Sequence, residues 1–156
     1  MDIREVTPGG DDRLARVLLS VQRAAYAVEA AAIGDDRIPP LHETLDELRS
    51  APLRWLAAFD TGLVGAIAWA ETNVEVDVHR LVVDPASHRR GVGRALVRAV
   101  LVRAGHRHTV VATGRANVSA RALYDGLGFV AASEQEVIPH LWVTRYVHDP
   151  AAVSLA

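Results

Sequence analysis

The chain carries 156 residues, 50% of them hydrophobic and 23% charged, at a net charge of −2. That length and composition suit one globular domain with a sizeable core, and the charge balance leaves no footprint for a nucleic-acid partner. With no cysteine in the chain, disulfides, thiolate metal sites and a covalent acyl-cysteine step are excluded.

Asp2, Arg4 and Glu5 interrupt any apolar leader, and no apolar run reaches the ~20 residues of a membrane span. The expectation is a soluble, cytoplasmic protein with no membrane partner. All 17 basic residues are arginines, a bias to which the sequence attaches no function. Residues 1–6 alternate weakly and read as a first strand. Thr7-Pro8-Gly9-Gly10 is a turn. Asp11 and Asp12 suit a helix start by cap and dipole. Leu14, Val17, Leu18, Val21, Ala25 and Val28 continue that helix at helical spacing. Gly34-Asp35-Asp36 ends it, and Ile38-Pro39-Pro40 forbids its continuation. The loop over 34–41 is either a substrate lid or a plain helix–helix connection. A short second helix covers 44–48 or slightly more. Residues 53–59 and 63–71 form a hairpin about Asp60-Thr61-Gly62. Trp55, Phe59 and Trp69 lie on these strands, in the core or on the flank of a cleft. Thr72-Asn73 then turns the chain into a long central strand over 74–83.

That strand ends in Leu81-Val82-Val83, rich in β-branched residues, and Asp84-Pro85 stops it. His88-Arg89-Arg90 and Gly91-Val92-Gly93 follow. A helix starts at once, with Leu96, Val97, Val100 and Leu101 on one face. Glycines let backbone approach a ligand and align successive N–H groups. The helix start adds free donors and a positive dipole end, and Arg89, Arg90 and Arg94 add charge. The construction suits a pyrophosphate; the plainer reading is a basic turn before an ordinary helix. A Walker loop is disfavoured, because Arg94-Ala95 follow the glycines in place of Lys-Ser/Thr. A Rossmann fingerprint is disfavoured by Leu96 at the third glycine position and by the absence of an acidic residue between Asp84 and Asp125.

Residues 109–113 read as a buried strand and 119–127 as a helix stopped by Gly128. Residues 129–132 and 137–147 finish the sheet, and 148–156 are expected to fray as a C-terminal tail. His106 and His108 suit the dipole at a helix end. No His/Asp/Glu cluster shows metal-ligand spacing, so no metal is expected. His140 and Trp142 could border an acceptor site.

Val83-Asp84-Pro85 with His88-Arg89-Arg90-Gly91-Val92-Gly93-Arg94-Ala95-Leu96 looks like the acetyl-CoA motif of the GNAT N-acetyltransferase superfamily, Arg/Gln-x-x-Gly-x-Gly/Ala. His88 stands where the family usually has Arg or Gln. Asn117-Val118-Ser119-Ala120-Arg121-Ala122-Leu123-Tyr124, closing on Leu127-Gly128-Phe129, resembles the family's second motif, Asn…Ala…Leu-Tyr…Gly-Phe. Motifs carry the resemblance from about residue 74 to 129, and element order carries it before that. It implies an α/β (α+β) fold, a mixed and mostly antiparallel sheet of six or seven strands flanked by about four helices. A single domain over 1–147 would hold it. It also implies acetyl-CoA (CoA) as cosubstrate, a small-molecule or peptide amine as acceptor, and room for a homodimer.

On this resemblance the pyrophosphate sits on His88, Arg89, Arg90, Gly91, Val92, Gly93 and Arg94, with Asn117 and Ser119 also near the coenzyme. Its pantetheine arm pairs with the backbone of Leu81, Val82 and Val83 like an added strand. The thioester lies at the arm's far end. A strand rises ~3.3 Å per residue, which puts Asp77 about 20 Å from Val83. Acetyl transfer needs the amine to lose a proton and favours a donor for the departing thiolate. Asp77 stands where GNAT enzymes often carry a glutamate and is the first candidate base. His79, on the same side two residues on, matches a histidine of some relatives, and its ordinary pKa suits a relay. Glu75 and Glu71 are weaker candidates. Tyr124 stands where the family's tyrosine lies beside the sulfur and is the candidate acid. It shares a helix face with Asn117, and Asn117 or Ser119 caps that helix. The plainer readings are a solvated Asp77 and a core Tyr124. The sequence thus points to an acetyl-CoA-dependent N-acetyltransferase acting by direct attack. Its rivals are a non-catalytic acyl-CoA-binding domain and, more remotely, a nucleotide-binding module.

Overall fold

A computed structural model describes residues 1–151 of the chain. Strand β1 (Asp2–Val6) leads through a 3₁₀ turn at Pro8–Gly10 into helix α1 (Asp12–Ile33). Asp11 caps α1 by accepting a hydrogen bond from the Leu14 N–H, and Gly34 ends it at φ 70°, a left-handed conformation open to glycine without strain. A second 3₁₀ turn, Pro39–His42, precedes α2 (Leu45–Ser50). Thr44 and Glu47 form a capping box there, each satisfying a backbone donor of the other. Then come β2 (Arg54–Phe59), β3 (Leu63–Glu71), β4 (Glu75–Val83), α3 (Val92–Ala104) and β5 (His108–Gly114). The described chain closes with α4 (Val118–Gly126), β6 (Val130–Ile138) and β7 (Leu141–His148).

The strands form one seven-stranded sheet in the order β1-β2-β3-β4-β5-β7-β6. Every neighbouring pair is antiparallel except β4 and β5. This is the mixed, mostly antiparallel α/β architecture expected from the sequence. One core lies beneath α1 and α2 and holds Leu18, Tyr26, Leu48, Trp55 and Val82. The other lies beneath α3 and α4 and holds Leu96, Val97, Val100, Trp69 and Tyr124. Each large apolar side chain so buried stabilises the fold by roughly 1.5–3 kcal/mol. Trp55 and Trp69 are core residues, 2% and 1% exposed.

Two irregularities of the sheet position the site. The first is a bulge in β4. Arg80 pairs with Ala68 and Val78 with Trp69, which leaves His79 without a partner on β3. A bulge reverses which residues face which side. Val76 and Val78 accordingly join the α3 core, whereas Val82 joins the α1 core. The second is a parting of the sheet. The β4–β5 pairing runs from Glu75/His108 to Val78/Val111 and stops. Both strands continue, to Val83 and to Gly114. A wedge therefore opens in the middle of the sheet, flanked by backbone groups that this ladder leaves unmet.

The last strands differ from the sequence expectation. Residues 137–147 are not one strand, because β6 ends at Ile138 and β7 begins at Leu141. Pro139 has no N–H for a ladder, and His140 takes φ 68°, so the pair turns the chain. His148 belongs to β7 and is buried, with its ring 5.2 Å from that of Phe129. It is thus part of the sheet and not of the expected tail. Residues 152–156 of that tail lie outside the described residues. Among the described residues, no helix is long and apolar enough to cross a membrane.

Candidate active site

The glycine loop forms one end of the wedge. Gly91 stands at the N-cap of α3 with φ 77° and offers no side-chain cap. The first N–H groups of the helix, on Val92, Gly93 and Arg94, therefore face outward without a capping partner. The Ala95 N–H is satisfied by the Gly91 carbonyl at 3.0 Å. Arg90 is ion-paired with Asp60 in the β2–β3 turn, so it ties the loop down. Arg89 and Arg94 make no ion pair among the described residues and are exposed, as is His88. Free helix donors beside two unpaired guanidiniums fit a pyrophosphate. The Val92 side chain is buried in the core, which leaves its backbone N–H at the helix start.

A glycine outside the motif lets this helix come close. A Cβ at Gly65 of β3 would stand 2.8 Å from Val92 Cγ1 and 2.9 Å from the Val82 carbonyl oxygen. No side chain fits there without shifting α3. Sequence patterning gives no sign of this, because the constraint comes from a helix that crosses the strand later in the chain.

Gly93 faces the wedge: a Cβ there would lie 3.6 Å from Val83 and 3.7 Å from Leu123. Further along, the wedge widens into a cavity of about 240 Å3. His79 and Leu81 reach it from β4, Ala112 and Thr113 from β5, Asn117 and Tyr124 from α4. Val82 instead faces the α1 core. Of the three candidate catalytic residues, His79 and Tyr124 thus share a cavity that Asp77 does not line. Asp77 stands behind His79, with Oδ2 3.2 Å from Nε2, and both side chains are about half exposed.

Asn117 settles the question of the cap. Its Oδ1 accepts a hydrogen bond from the Ala120 N–H at 3.1 Å. Ser119 is inside α4, exposed and off the cavity, because the helix begins one residue before it. Tyr124 is 3% exposed, its ring packed on Phe129 and Tyr146 at 5.2 and 5.8 Å. Burial pushes its hydroxyl pKa up, and the neighbouring Tyr26 and Glu29 push the same way. Tyr124 is therefore fully protonated at neutral pH and able to donate.

Helix α1 contributes two residues that the sequence reasoning passed over. Tyr26 is buried, with its hydroxyl beside the Leu81 backbone. Glu29 lines the cavity. Burial pushes its carboxyl pKa up, and a hydrogen bond from Asn117 partly opposes the shift. Its Oε1 lies 3.9 Å from where a Cβ of Gly114 would be. The available signal was helical period: Gln22, Tyr26, Glu29 and Ile33 fall on one face of α1, and a carboxylate on a buried face is unusual. The 34–41 loop forms a wall of the cavity through Arg37, Ile38, Pro39 and Pro40. Arg37 fastens it by donating to the Pro139 carbonyl at 3.0 Å. Among the described residues, no group of three or more His, Asp or Glu could hold a metal ion.

A family model described as an acetyltransferase (GNAT) domain matches residues 26–149. The UPF0157 protein YqkA of Bacillus subtilis (strain 168) is 34% identical over 121 residues, 76% of this chain and 35% of that protein. A mycothiol acetyltransferase of Clavibacter sepedonicus is 35% identical over 116 residues, 72% of this chain and 38% of that protein. The chain thus spans just over a third of the length of these curated relatives. Among solved structures, the PaiA N-acetyltransferase of Thermoplasma acidophilum in complex with coenzyme A superposes with a TM-score of 0.70. That match covers 94% of this chain and 98% of the other at 16% identity, a likeness of fold.

Proposed function

The chain belongs to the GNAT acetyltransferase family, and from that premise we propose that it moves the acetyl group of acetyl-CoA to an amine by direct attack. The observation that carries this reading is the wedge between β4 and β5. Outward helix donors and free arginines stand at one end, and a cavity holding His79 and Tyr124 at the other. Coenzyme A in the superposed Thermoplasma structure supports the choice of coenzyme.

On this reading Val92, Gly93 and Arg94 hold the pyrophosphate by backbone N–H groups, with Arg89 and Arg94 adding charge. Leu81 and Val83 pair with the pantetheine amides along the open edge of β4. His79 takes the proton of the acceptor ammonium, and Asp77, 3.2 Å away, orients the imidazole. The amine nitrogen attacks the thioester carbonyl, the N–C bond forms and the C–S bond breaks. Tyr124 delivers its proton to the leaving sulfur, the second proton of the attacking nitrogen restores the Tyr124 hydroxyl as the amide forms, and His79 releases the first to solvent. A single domain, residues 1–148, carries this activity, in the cytoplasm and with no metal.

The test is thermal denaturation with acetyl-CoA, CoA and ATP, followed by thiol release with a panel of amines. Both CoA species should raise the melting temperature, since a ligand at 100 times its Kd adds ~2.7 kcal/mol. Stabilisation by ATP alone would overturn the reading. Coenzyme binding with no thiol release on any amine would leave a non-catalytic coenzyme-binding domain.

A further inference from the structure

Among the described residues, the two arginines that line the cavity are ion-paired with carboxylates, and Glu29 has no such partner. Arg80 is ion-paired with Glu43, and Arg37 with Asp35 at 2.6 Å. His79 has Asp77 at 3.2 Å. Glu29 has no cationic partner among the described residues, and its hydrogen-bonding neighbour is the neutral Asn117 amide. The carboxylate stands by Gly114 and Asn117, on the wall that Asn117 shares with Tyr124. Burial has pushed its pKa up, as expected of an acid without a counter-ion. Around it the cavity is mostly apolar, through Ile33, Ile38, Pro39, Leu141 and Val143.

A half-buried carboxylate left without a counter-ion is unfavourable, and a bound cation relieves it. A neutral or anionic acceptor would leave Glu29 as it is. A polycation would bring further charges to a cavity that offers no second carboxylate among its described lining residues. We propose that the acceptor is a small primary amine that arrives as a single cation with an apolar body, and that Glu29 binds its ammonium group. This rests on the transferase reading above. Glu29 pairs with the ammonium before the proton passes to His79 and loses that pairing as it leaves. Its contribution therefore falls on binding more than on the chemical step.

The test compares the wild type with Glu29→Gln, which keeps the side-chain shape and a partner for Asn117. Three acceptors are used: 2-phenylethylamine, a cation with an apolar body; spermidine, a polycation; and para-toluidine, an amine uncharged at neutral pH. The wild type should prefer 2-phenylethylamine to spermidine. In the variant, KM for 2-phenylethylamine should rise ~10-fold or more, the usual effect of losing a hydrogen bond to a charged group. Its kcat, and KM for para-toluidine, should change little. An unchanged KM for 2-phenylethylamine, an equal loss on para-toluidine, or a wild-type preference for spermidine would overturn the proposal. Calorimetry on the CoA-loaded protein separates this from failure of the transferase reading. There 2-phenylethylamine should bind more tightly than 2-phenylethanol, and Glu29→Gln should erase the difference even if no acetyl transfer is found. Equal binding of amine and alcohol by the wild type would sink the ammonium site by itself.

Discussion

The two ends of the wedge are built on different principles. The proposed coenzyme end is one contiguous stretch, 88–94, with backbone donors at a helix start. The proposed acceptor end is assembled from side chains of α1, β4, β5, α4, the 34–41 loop and strands β6 and β7. Charge differs too. Among the described residues, the first end leaves Arg89 and Arg94 without ion pairs, and the second pairs its arginines with carboxylates and leaves Glu29 over. A site made of backbone should fail when φ or space is denied it. A site made of side chains should fail one group at a time.

The largest effect should come from denying space at the backbone end. Gly91→Glu would place a carboxylate at the proposed phosphate site and force a side chain onto φ 77°. Acetyl-CoA affinity should fall by ~100-fold or more, the scale of losing two hydrogen bonds to charged groups. The backbone strain should lower stability by about 1–2 kcal/mol. Calorimetry and urea unfolding measure the two separately. Gly91→Ala should show the strain with a much smaller loss of affinity. Equal affinities for wild type and Gly91→Glu would remove the phosphate loop from the account.

Next in size is a single group at the other end. Tyr124→Phe keeps the ring against Phe129 and Tyr146 and removes the hydroxyl, so packing is conserved. With any accepted amine, kcat should fall ~100-fold, while acetyl-CoA affinity holds. A parallel loss of affinity would mean that the hydroxyl binds the coenzyme and does not protonate the sulfur.

The smallest effect concerns stability. Burial holds the Glu29 carboxyl above its ordinary value of 4.5. A group so raised contributes stability that is complete below the unfolded value and is lost as pH rises through the folded one. Glu29→Gln removes that loss. Wild type and variant should melt alike near pH 4, and the variant should melt higher at pH 8. A variant less stable at pH 8 would show that Glu29 supports the fold instead of waiting for a ligand.

The same contrast governs what could be read from the sequence. Asp11 and Gly34 mark the ends of α1, and residues 88–94 mark the loop, because caps, glycines and helix starts act on their own neighbours. The turn at Pro139 and His140 was local as well, yet an apolar and aromatic run on both sides concealed it. The bulge at His79 was not legible. It exists only against Ala68 and Trp69 on the next strand, and it decides that His79 lines the cavity and Asp77 does not. Glu29 was equally silent. Its meaning comes from Gly114 and Asn117, which the parting of β4 and β5 brings to its side of the cleft.

The central claim is that the parted β4 edge carries the coenzyme to Tyr124 and His79. A crystal structure of the protein with acetyl-CoA tests it most directly. The account predicts phosphate oxygens within hydrogen-bond distance of the Val92, Gly93 and Arg94 N–H groups. It predicts pantetheine amides paired with Leu81 and Val83, and the thioester sulfur within ~3.5 Å of the Tyr124 hydroxyl, the reach of a proton donor. A coenzyme bound elsewhere, or one whose sulfur points away from Tyr124, would contradict it.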